Sequence, residues 1–146
     1  MSTQEDLLKL DNQVCFPLYA LSREITNQYR PFLDELDLSY PQYLVMMLLW
    51  EYKKLTVSGI CDKLMLDTGT LTPLLKRMEA KGLVLRQRNS SDERVVTVTL
   101  SDKGKALKKA ASAIPDKMIQ AMGLSIEELL HLKQITTKIL NKTTQQ

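Results

Sequence analysis

The amino-acid sequence predicts a mainly α-helical fold with a small β element, of the α+β class. Two observations predict this fold. Apolar residues recur at steps of three and four along most of the chain, which is typical of amphipathic helices. Two β-rich runs, "LVLRQR" and "RVVTVTL", interrupt that pattern and are separated by the polar turn "NSSDE". The predicted order is therefore four helices, a β-hairpin and two more helices.

Length and composition are those of an ordinary globular protein. The chain has 146 residues, of which 44% are hydrophobic and 25% charged. Its longest apolar run, "YLVMMLLW", is too short to cross a membrane, and no signal peptide is recognisable. Two cysteines, Cys15 and Cys61, and the single His131 match no disulfide framework or zinc site. We expect a cytoplasmic protein that binds no metal, no other cofactor and no membrane.

The first half of the chain is predicted to form the four helices. An apolar stripe predicts one helix over residues 11–36, and Pro17 is tolerated because it lies near the start. Ser39 is the expected N-cap of a second helix, which is apolar on nearly all sides and should be central. A short third helix is expected over residues 55–66, and the fourth should end at Gly82. The alternatives for the N-cap of the fourth helix are Asp67, Thr68 and Thr70.

The hairpin is followed by two predicted helices. Ser101 is the expected N-cap of a helix over residues 102–123. Ser125 and Glu128 form a capping box for the last helix, which should reach about Asn141.

Two short helices followed directly by a β-hairpin are typical of a winged helix-turn-helix. In such a domain, the second helix enters the major groove of DNA and the hairpin reaches along the backbone. Charge favours this interpretation over a domain without nucleic acid. Residues 76–109 contain ten Lys or Arg and four Asp or Glu, a net charge of +6, while the rest of the chain carries −3. We expect the DNA-binding winged helix to cover about residues 39–101.

The first helix and the last two helices are not part of a minimal winged-helix domain. Residues 1–38 and 102–146, with approximate bounds, carry apolar stripes that can be buried against a second copy of the chain. The sequence therefore predicts one domain over residues 1–146, which forms a homodimer. Its two reading helices would face a palindromic, double-stranded operator.

Polar and basic side chains of the fourth helix and the hairpin are the candidates for contact with DNA. Hydroxyls near a helix start suit phosphates or base edges, and Arg77 is able to pair with a guanine. Asp92 is expected to orient Arg94, because a carboxylate is repelled by phosphate. The full set of candidates is Thr68, Thr70, Thr72, Pro73, Lys76, Arg77, Arg86, Arg88, Asp92 and Arg94.

Three long stretches carry a family resemblance. They are "VCFPLYALSREITNQYRPFLDELDLSYPQYLVMMLLWE", "LDTGTLTPLLKRMEAKGLV" and "SDERVVTVTLSDKGKAL". The third is similar to the Asp-x-Arg wing motif of the MarR family of winged-helix transcription regulators, which the chain resembles over essentially its full length. The first two resemble the most characteristic blocks of one subgroup, the organic hydroperoxide resistance regulators. A branch of cysteine-sensing global regulators shares the "CF" and "LDTGT" blocks and is an alternative.

This resemblance implies a homodimeric repressor that releases its operator when a reactive cysteine is oxidised. By position, Cys15 corresponds to the peroxide-reactive cysteine, and Tyr29 and Tyr40 to two tyrosines that hydrogen-bond its sulfur from the partner subunit. Pro17 departs from the small helix former expected at its position. Some members use a second, resolving cysteine in the carboxy-terminal half, but this chain has no cysteine after Cys61.

A peroxide sensor needs a thiolate, because a thiol is a poor nucleophile. A position near the amino end of a helix favours the charged form of Cys15, and phenol donors would stabilise it further. Attack on the peroxide yields a sulfenic acid, which can condense with a small thiol or be oxidised further. An organic hydroperoxide also needs an apolar pocket for its tail. The candidates for this pocket are Phe16, Tyr19, Met46 and Met47.

Three other functions are compatible with the sequence. The first is a regulator that responds to a bound aromatic acid, in which Cys15 is only a small core residue. The second is a thiol peroxidase with Cys15 as its nucleophile, although the sequence has no acid or base motif for such an enzyme. The third alternative is an interaction module without DNA. We expect Cys61, Tyr43 and Trp50 to pack in the core and His131 to lie at the surface or an interface.

Overall fold

A computed structural model describes residues 3–144 of the chain, and within them it confirms the predicted mainly helical α+β fold. The helices are α1 (Gln4–Leu7), α2 (Cys15–Asp34), α3 (Tyr40–Tyr52), α4 (Val57–Leu64), α5 (Thr68–Ala80), α6 (Asp102–Ala111), α7 (Ile114–Met122) and α8 (Ile126–Thr143). The strands are β1 (Lys54–Thr56), β2 (Val84–Arg88) and β3 (Val96–Leu100). A 3₁₀ helix (Leu10–Asn12) lies between α1 and α2.

The described chain divides into two compact units, residues 3–112 and residues 113–144. The first unit contains α1 to α6 and the three strands. In it, α4, α5 and the β2–β3 hairpin follow one another as the predicted winged helix-turn-helix. The second unit contains α7 and α8, and the predicted capping box of Ser125 with Glu128 begins α8.

Helix α3 lies at the centre of the first unit. Its N-cap Ser39 and Gln42 form a reciprocal capping box, so that the helix starts where the sequence predicted. Val45, Met46 and Leu49 are fully buried. Helices α2, α4, α5 and α6 and strands β1 and β3 all contact α3. This helix is thus covered on several sides, and Met47 is among the residues that remain exposed.

The sheet has the strand order β1-β3-β2, and both pairings are antiparallel. The β2–β3 hairpin runs in the predicted position. Strand β1 was not predicted, because residues 55–66 were assigned to a helix, whereas α4 begins only at Val57. Lys54 pairs with Thr99 at the edge of β3 that β2 leaves free. A strand of this length has no periodic pattern of its own and depends on the unpaired backbone groups of its partner.

Two other predicted helices have different bounds in the structure. The helix expected over residues 11–36 starts only at Cys15, because the chain forms the 3₁₀ helix and then an extended residue, Gln13, before it. The helix expected over residues 102–123 is divided into α6 and α7. Pro115 explains the break, since it has no N–H group and its ring clashes with the carbonyl four residues earlier, at the end of α6.

The structure selects one of the three N-cap candidates of α5 and confirms its predicted carboxyl end at Gly82. Asp67 is the N-cap and accepts a hydrogen bond of 2.6 Å from the Thr70 N–H. The Thr70 hydroxyl and this backbone N–H both lower the pKa of the Asp67 carboxyl by hydrogen bonding to it. At the other end, Gly82 has a φ of 76°, and the Leu83 N–H donates to the Met78 carbonyl at 3.0 Å. Glycine adopts this left-handed conformation without steric cost, so it ends the helix.

Many large apolar side chains are exposed in the amino-terminal part of the first unit and in the second unit. No helix within residues 3–144 is both long and apolar enough to span a bilayer. Contiguous exposed apolar surface marks protein–protein interfaces. The side chains include Leu7, Leu8, Leu10, Val14, Phe16, Leu18, Tyr19, Leu21, Leu124, Ile126, Leu130, Ile135, Ile139 and Leu140.

Helix α6 packs directly on the backbone that leads from α5 into β2. The hydroxyl of its N-cap Ser101 donates to the Leu83 carbonyl at 3.0 Å, and Trp50 Nε1 donates to the Gly104 carbonyl at 2.9 Å. A Cβ atom at Gly104 would overlap the Leu83 carbonyl oxygen and lie 3.1 Å from a Leu100 methyl group. Only glycine fits at this position.

We expect Gly104→Ala to destabilise the protein by about 1–3 kcal/mol, because the overlapping atom is backbone and cannot turn away. Urea unfolding measures the change as a shift of the midpoint. Gly69→Ala is the matched control. Its Cβ would meet only the Asp67 carboxylate, at an ordinary 3.4 Å. It should be neutral or stabilise α5 by up to about 1 kcal/mol. Equal midpoints for the two variants would contradict this account of α6 packing.

Candidate functional site

A groove of about 490 Å³ lies between α5 and the hairpin. Thr68, Thr72 and Lys76 line it from α5. These residues are four apart and therefore share one helix face. The hairpin supplies Arg86, Arg88 and Arg94. The structure thus brings together six of the ten residues that the sequence proposed for DNA contact.

The wing motif is held together by its own two residues. Arg94 Nε and Nη2 donate to the two carboxylate oxygens of Asp92, at 3.0 and 3.2 Å. The Arg94 backbone N–H also donates to Asp92, at 3.1 Å. These bonds lower the pKa of the Asp92 carboxyl and keep it charged. The Arg94 side chain is 91% exposed, so Asp92 orients a cation that points into solvent, as the sequence predicted.

The other two hairpin arginines differ in their surroundings. Arg86 is half-buried and donates through its backbone N–H and its Nη2 to Glu79 on α5, at 3.1 and 3.2 Å. It therefore ties the hairpin to the reading helix, and its charge is partly neutralised. Arg88 is exposed and donates to the carbonyl of Glu93, which braces the hairpin tip. Its side chain lines the groove.

Not all of the predicted contact residues meet in the groove. Thr70 and Pro73 are exposed on α5 but do not line it. Arg77 lines a different cavity, of about 650 Å³, together with Arg30 and Lys81.

Two polar groove residues were missed by sequence analysis. Thr56 and Ser58 line the groove at the start of α4. Thr56 also caps α4 by accepting a hydrogen bond from the Gly59 N–H at 3.0 Å. The sequence signal that could have identified Thr56 was its type and position, since threonine is a common N-cap residue at the start of a helix. It was overlooked because the sequence did not reveal β1, whose end places Thr56 beside the reading helix.

Cys15 is the first residue of α2 and is exposed. The N-cap Val14 offers no side-chain acceptor, so the N–H groups of the first turn have no side-chain cap. The partial positive charge at such a helix end attracts anions. The Cys15 thiol makes no hydrogen bond to another residue in the described part of the chain.

Tyrosine rings from α2 and α3 form a cluster on the first unit. The ring centroids of Tyr29 and Tyr40 are 4.8 Å apart, and those of Tyr29 and Tyr43 are 5.7 Å apart. Tyr43 also meets Trp50 edge-on at 6.4 Å. Tyr43 is buried, as predicted for a core residue, while Trp50, Tyr29 and Tyr40 are half-buried. Tyr29 and Tyr40, the two tyrosines proposed to hydrogen-bond the Cys15 sulfur, are therefore adjacent.

Burial, together with the neighbouring phenols of Tyr40 and Tyr43, raises the pKa of Tyr29 to about 12. Its hydroxyl therefore stays protonated at neutral pH and is able to donate a hydrogen bond to an anion. Tyr29 follows Cys15 by fourteen residues on the same helix. At 1.5 Å per residue, the two are separated by roughly 21 Å along α2. Tyr29 therefore cannot reach the Cys15 sulfur of its own chain.

The remaining candidates are placed as follows. Phe16, Tyr19 and Met47 are exposed, whereas Met46 is fully buried in the core. The Arg23 guanidinium lies 4.6 Å from the Tyr19 ring centre. A peroxide pocket formed by these side chains remains a prediction.

Cys61 is buried, as expected for a packing residue, and its Sγ lies 4.0 Å from Thr68 Oγ1. His131 is exposed on α8. Residues 3–144 contain no group of three or more His, Cys, Asp or Glu side chains that could hold a metal ion.

Known proteins match this chain over most of its length. A family model for the SarA/Rot transcriptional regulators matches residues 27–111. The organic hydroperoxide resistance transcriptional regulator of Bacillus subtilis is 48% identical over 140 residues, which cover 96% of this chain and 95% of that protein. The HTH-type transcriptional regulator SarZ of Staphylococcus saprophyticus is 37% identical over 94% of each protein.

A solved structure has the same fold. The structure of reduced AbfR bound to DNA, a protein of Staphylococcus epidermidis, has a TM-score of 0.79 and 32% sequence identity, and the match covers 97% of this chain and 99% of that one. The family resemblance of the sequence is thereby confirmed. With its winged helix, its basic groove and these relatives, the chain belongs to the MarR family of winged-helix transcriptional regulators, among those of SarA/Rot type.

Proposed function

We propose that the protein is a cytoplasmic, homodimeric repressor that binds a palindromic operator and releases it when an organic hydroperoxide oxidises Cys15. The observation that carries this proposal is the exposed Cys15 at an uncapped helix start, together with a tyrosine pair that its own chain cannot bring to it. The relative that shares 48% of its residues with this chain bears the name of an organic hydroperoxide resistance regulator.

Operator binding would use the groove between α5 and the hairpin. Thr68, Thr72 and Lys76 present hydroxyl and ammonium donors from one face of the reading helix. Arg88 and Arg94 would contact the phosphate backbone, since both are exposed. Arg86 would act from behind them by holding the hairpin against α5 through Glu79.

A second copy of the chain would complete the protein. Residues 1–146 act as one domain in this proposal, with helices of residues 1–38 and 102–146 forming the dimer. The exposed apolar side chains of both compact units support this arrangement, because a lone chain would leave them in water. The partner's Tyr29 and Tyr40 would then reach Cys15, which the length of α2 prevents within one chain.

The redox step is a displacement at oxygen. The Cys15 thiolate attacks one oxygen of the hydroperoxide, the O–O bond breaks, and the sulfur becomes a sulfenic acid while the peroxide leaves as an alcohol after taking up a proton. A small thiol would then condense with the sulfenic acid, giving a mixed disulfide and water. The side chains proposed to hold the apolar tail of the peroxide are Phe16, Tyr19 and Met47, which are exposed, and Met46, which is buried in the core.

We expect operator affinity to fall steeply with salt, with a log–log slope of about −0.9 for each phosphate contacted. Arg94→Ala should weaken binding to all sequences alike and make the slope shallower by about 1 per lost contact. Lys138→Ala, which removes the same charge from α8, is the control and should leave the slope unchanged. Fluorescence anisotropy over a salt series measures both. A slope near zero for the wild type would exclude this DNA interface.

Cys15→Ser should bind the operator like the wild type but stay bound when an alkyl hydroperoxide is added. Cys61→Ser should bind and release normally, because Cys61 is a buried packing residue. Gel-shift titration before and after addition of the peroxide tests both variants. If Cys61→Ser is the variant that fails to respond, the roles of the two cysteines are reversed.

Mixed dimers test whether the tyrosine acts across the interface. A Cys15→Ser chain is paired with a Tyr29→Phe chain. In a cross-subunit site, the remaining Cys15 meets an intact Tyr29 from its partner, so the rate of thiol oxidation per remaining cysteine should equal that of the wild type. The measurement is the loss of free thiol under excess alkyl hydroperoxide.

The control for this experiment is the Tyr29→Phe homodimer, in which no cysteine has Tyr29 as a partner while Tyr40 is retained. It should be measurably slower than the wild type. A mixed dimer as slow as this homodimer would show that Tyr29 does not act from the other subunit.

A further inference from the structure

The carboxyl end of the reading helix is fastened to the corner between α2 and α3. Lys81, which caps α5, donates from its Nζ to the Asp37 carbonyl at 2.6 Å and to Gln42 Oε1 at 3.1 Å. Its Nζ also lies 3.5 Å from the Asp37 carboxylate. A single ammonium group therefore joins the DNA-reading helix to residues 37–42, which we call the sensor corner.

The sensor corner is connected to the tyrosine pair. Tyr40 lies within it and stacks on Tyr29. Gln42 is 4% exposed and is the one buried polar side chain found in residues 3–144. Its Oε1 accepts from the Ser39 N–H at 3.1 Å as well as from Lys81. The capping box that starts the helix of Tyr40 and the lysine that ends the reading helix thus share one acceptor.

The bonds of Lys81 differ in strength. Asp37 has an 88% exposed side chain, so its ion pair with Lys81 contributes little. The bonds to the Asp37 carbonyl and to buried Gln42 are charge-assisted, and the Lys81 side chain is 31% exposed. Asp37 itself has a φ of 53°, a left-handed conformation that is uncommon outside glycine and turns its carbonyl toward Lys81.

We propose that Lys81 is a positioning residue that couples the tyrosine pair to the DNA-reading helix. A displacement of Tyr40 moves the first turn of α3 and with it Gln42 and the Asp37 carbonyl. Hydrogen bonds weaken steeply with distance and angle, so a small shift of the corner releases or redirects Lys81. The end of α5 then changes position relative to the groove. This proposal rests on the proposed function for its input, which is oxidation of Cys15.

A second clamp on the same helix end provides a matched control. Lys103, on α6, donates from its Nζ to the Lys81 carbonyl at 2.9 Å. Lys103→Met and Lys81→Met each remove one positive charge that holds the carboxyl end of α5, with one hydrogen bond lost for Lys103 and two for Lys81. Only Lys81→Met cuts the connection to the sensor corner. A difference between the two variants therefore reports the connection rather than charge or a general loosening of α5.

Coupling between two sites is reciprocal, so operator binding should change the hydrogen exchange of the sensor corner even without peroxide. Hydrogen exchange of residues 36–43, measured by mass spectrometry with and without operator DNA, tests this. We expect operator to slow exchange there by about tenfold in the wild type and in Lys103→Met, and to have little effect in Lys81→Met. Asp37→Asn should behave like the wild type, because it keeps the carbonyl. Equal protection in Lys81→Met and Lys103→Met, or none in the wild type, would overturn the proposal.

A second measurement separates this proposal from the proposed function. Cys15 should be oxidised at the wild-type rate in Lys81→Met, since Lys81 does not contact the thiol. The ratio of operator Kd between oxidised and reduced protein should fall by about tenfold in Lys81→Met and stay unchanged in Lys103→Met. If the wild type shows no such ratio while the exchange result holds, the peroxide input is wrong and the coupling stands. Lys81→Gln repeats both measurements if Lys81→Met does not fold, as judged by circular dichroism.

Discussion

Burial of α3 is the constraint on which the rest of this chain depends. A helix that is apolar on nearly every side needs neighbours on several sides, and α2, α4, α5, α6 and two strands contact α3. The winged helix and the amino-terminal helix therefore share one core instead of forming separate modules. One polar group, Gln42, is enclosed in this core, and its bonds to the capping box and to Lys81 satisfy it. The element that holds the fold together is thus also placed between the tyrosines and the reading helix.

Helix length is a second physical limit with a functional consequence. Because α2 continues unbroken from Cys15 past Tyr29, the two side chains on which the proposed redox chemistry depends are held apart in each chain. A rigid spacer of this kind excludes a site within one chain and permits one between two chains. The apolar side chains left exposed on the first turns of α2 and on α8 are consistent with that solution. In the proposed dimer, the redox site would then exist only where the two chains are associated.

The arginines of the basic surface differ in their burial and in their partners, although all carry the same charge. Arg86 forms an ion pair with Glu79 and ties the hairpin to α5, whereas Arg94 is held by Asp92 and remains exposed. Arg77 lines a separate cavity together with Lys81. These residues look equivalent as a run of positive charges. Their roles diverge because a partner carboxylate partly neutralises the half-buried guanidinium of Arg86 and orients the exposed one of Arg94.

The sequence by itself determined the winged helix, the hairpin, the caps at Ser39 and Gly82 and the family, and it narrowed the N-cap of α5 to three residues, because these features depend on local periodicity and backbone chemistry that neighbouring residues carry. Tertiary structure alone decided the rest. Strand β1 forms only because β3 has a free edge, and its end brings Thr56 into the groove. The bonds of Lys81 to Asp37 and Gln42 join positions some forty residues apart. No local pattern encodes such contacts, since they arise only after separate elements have packed around α3.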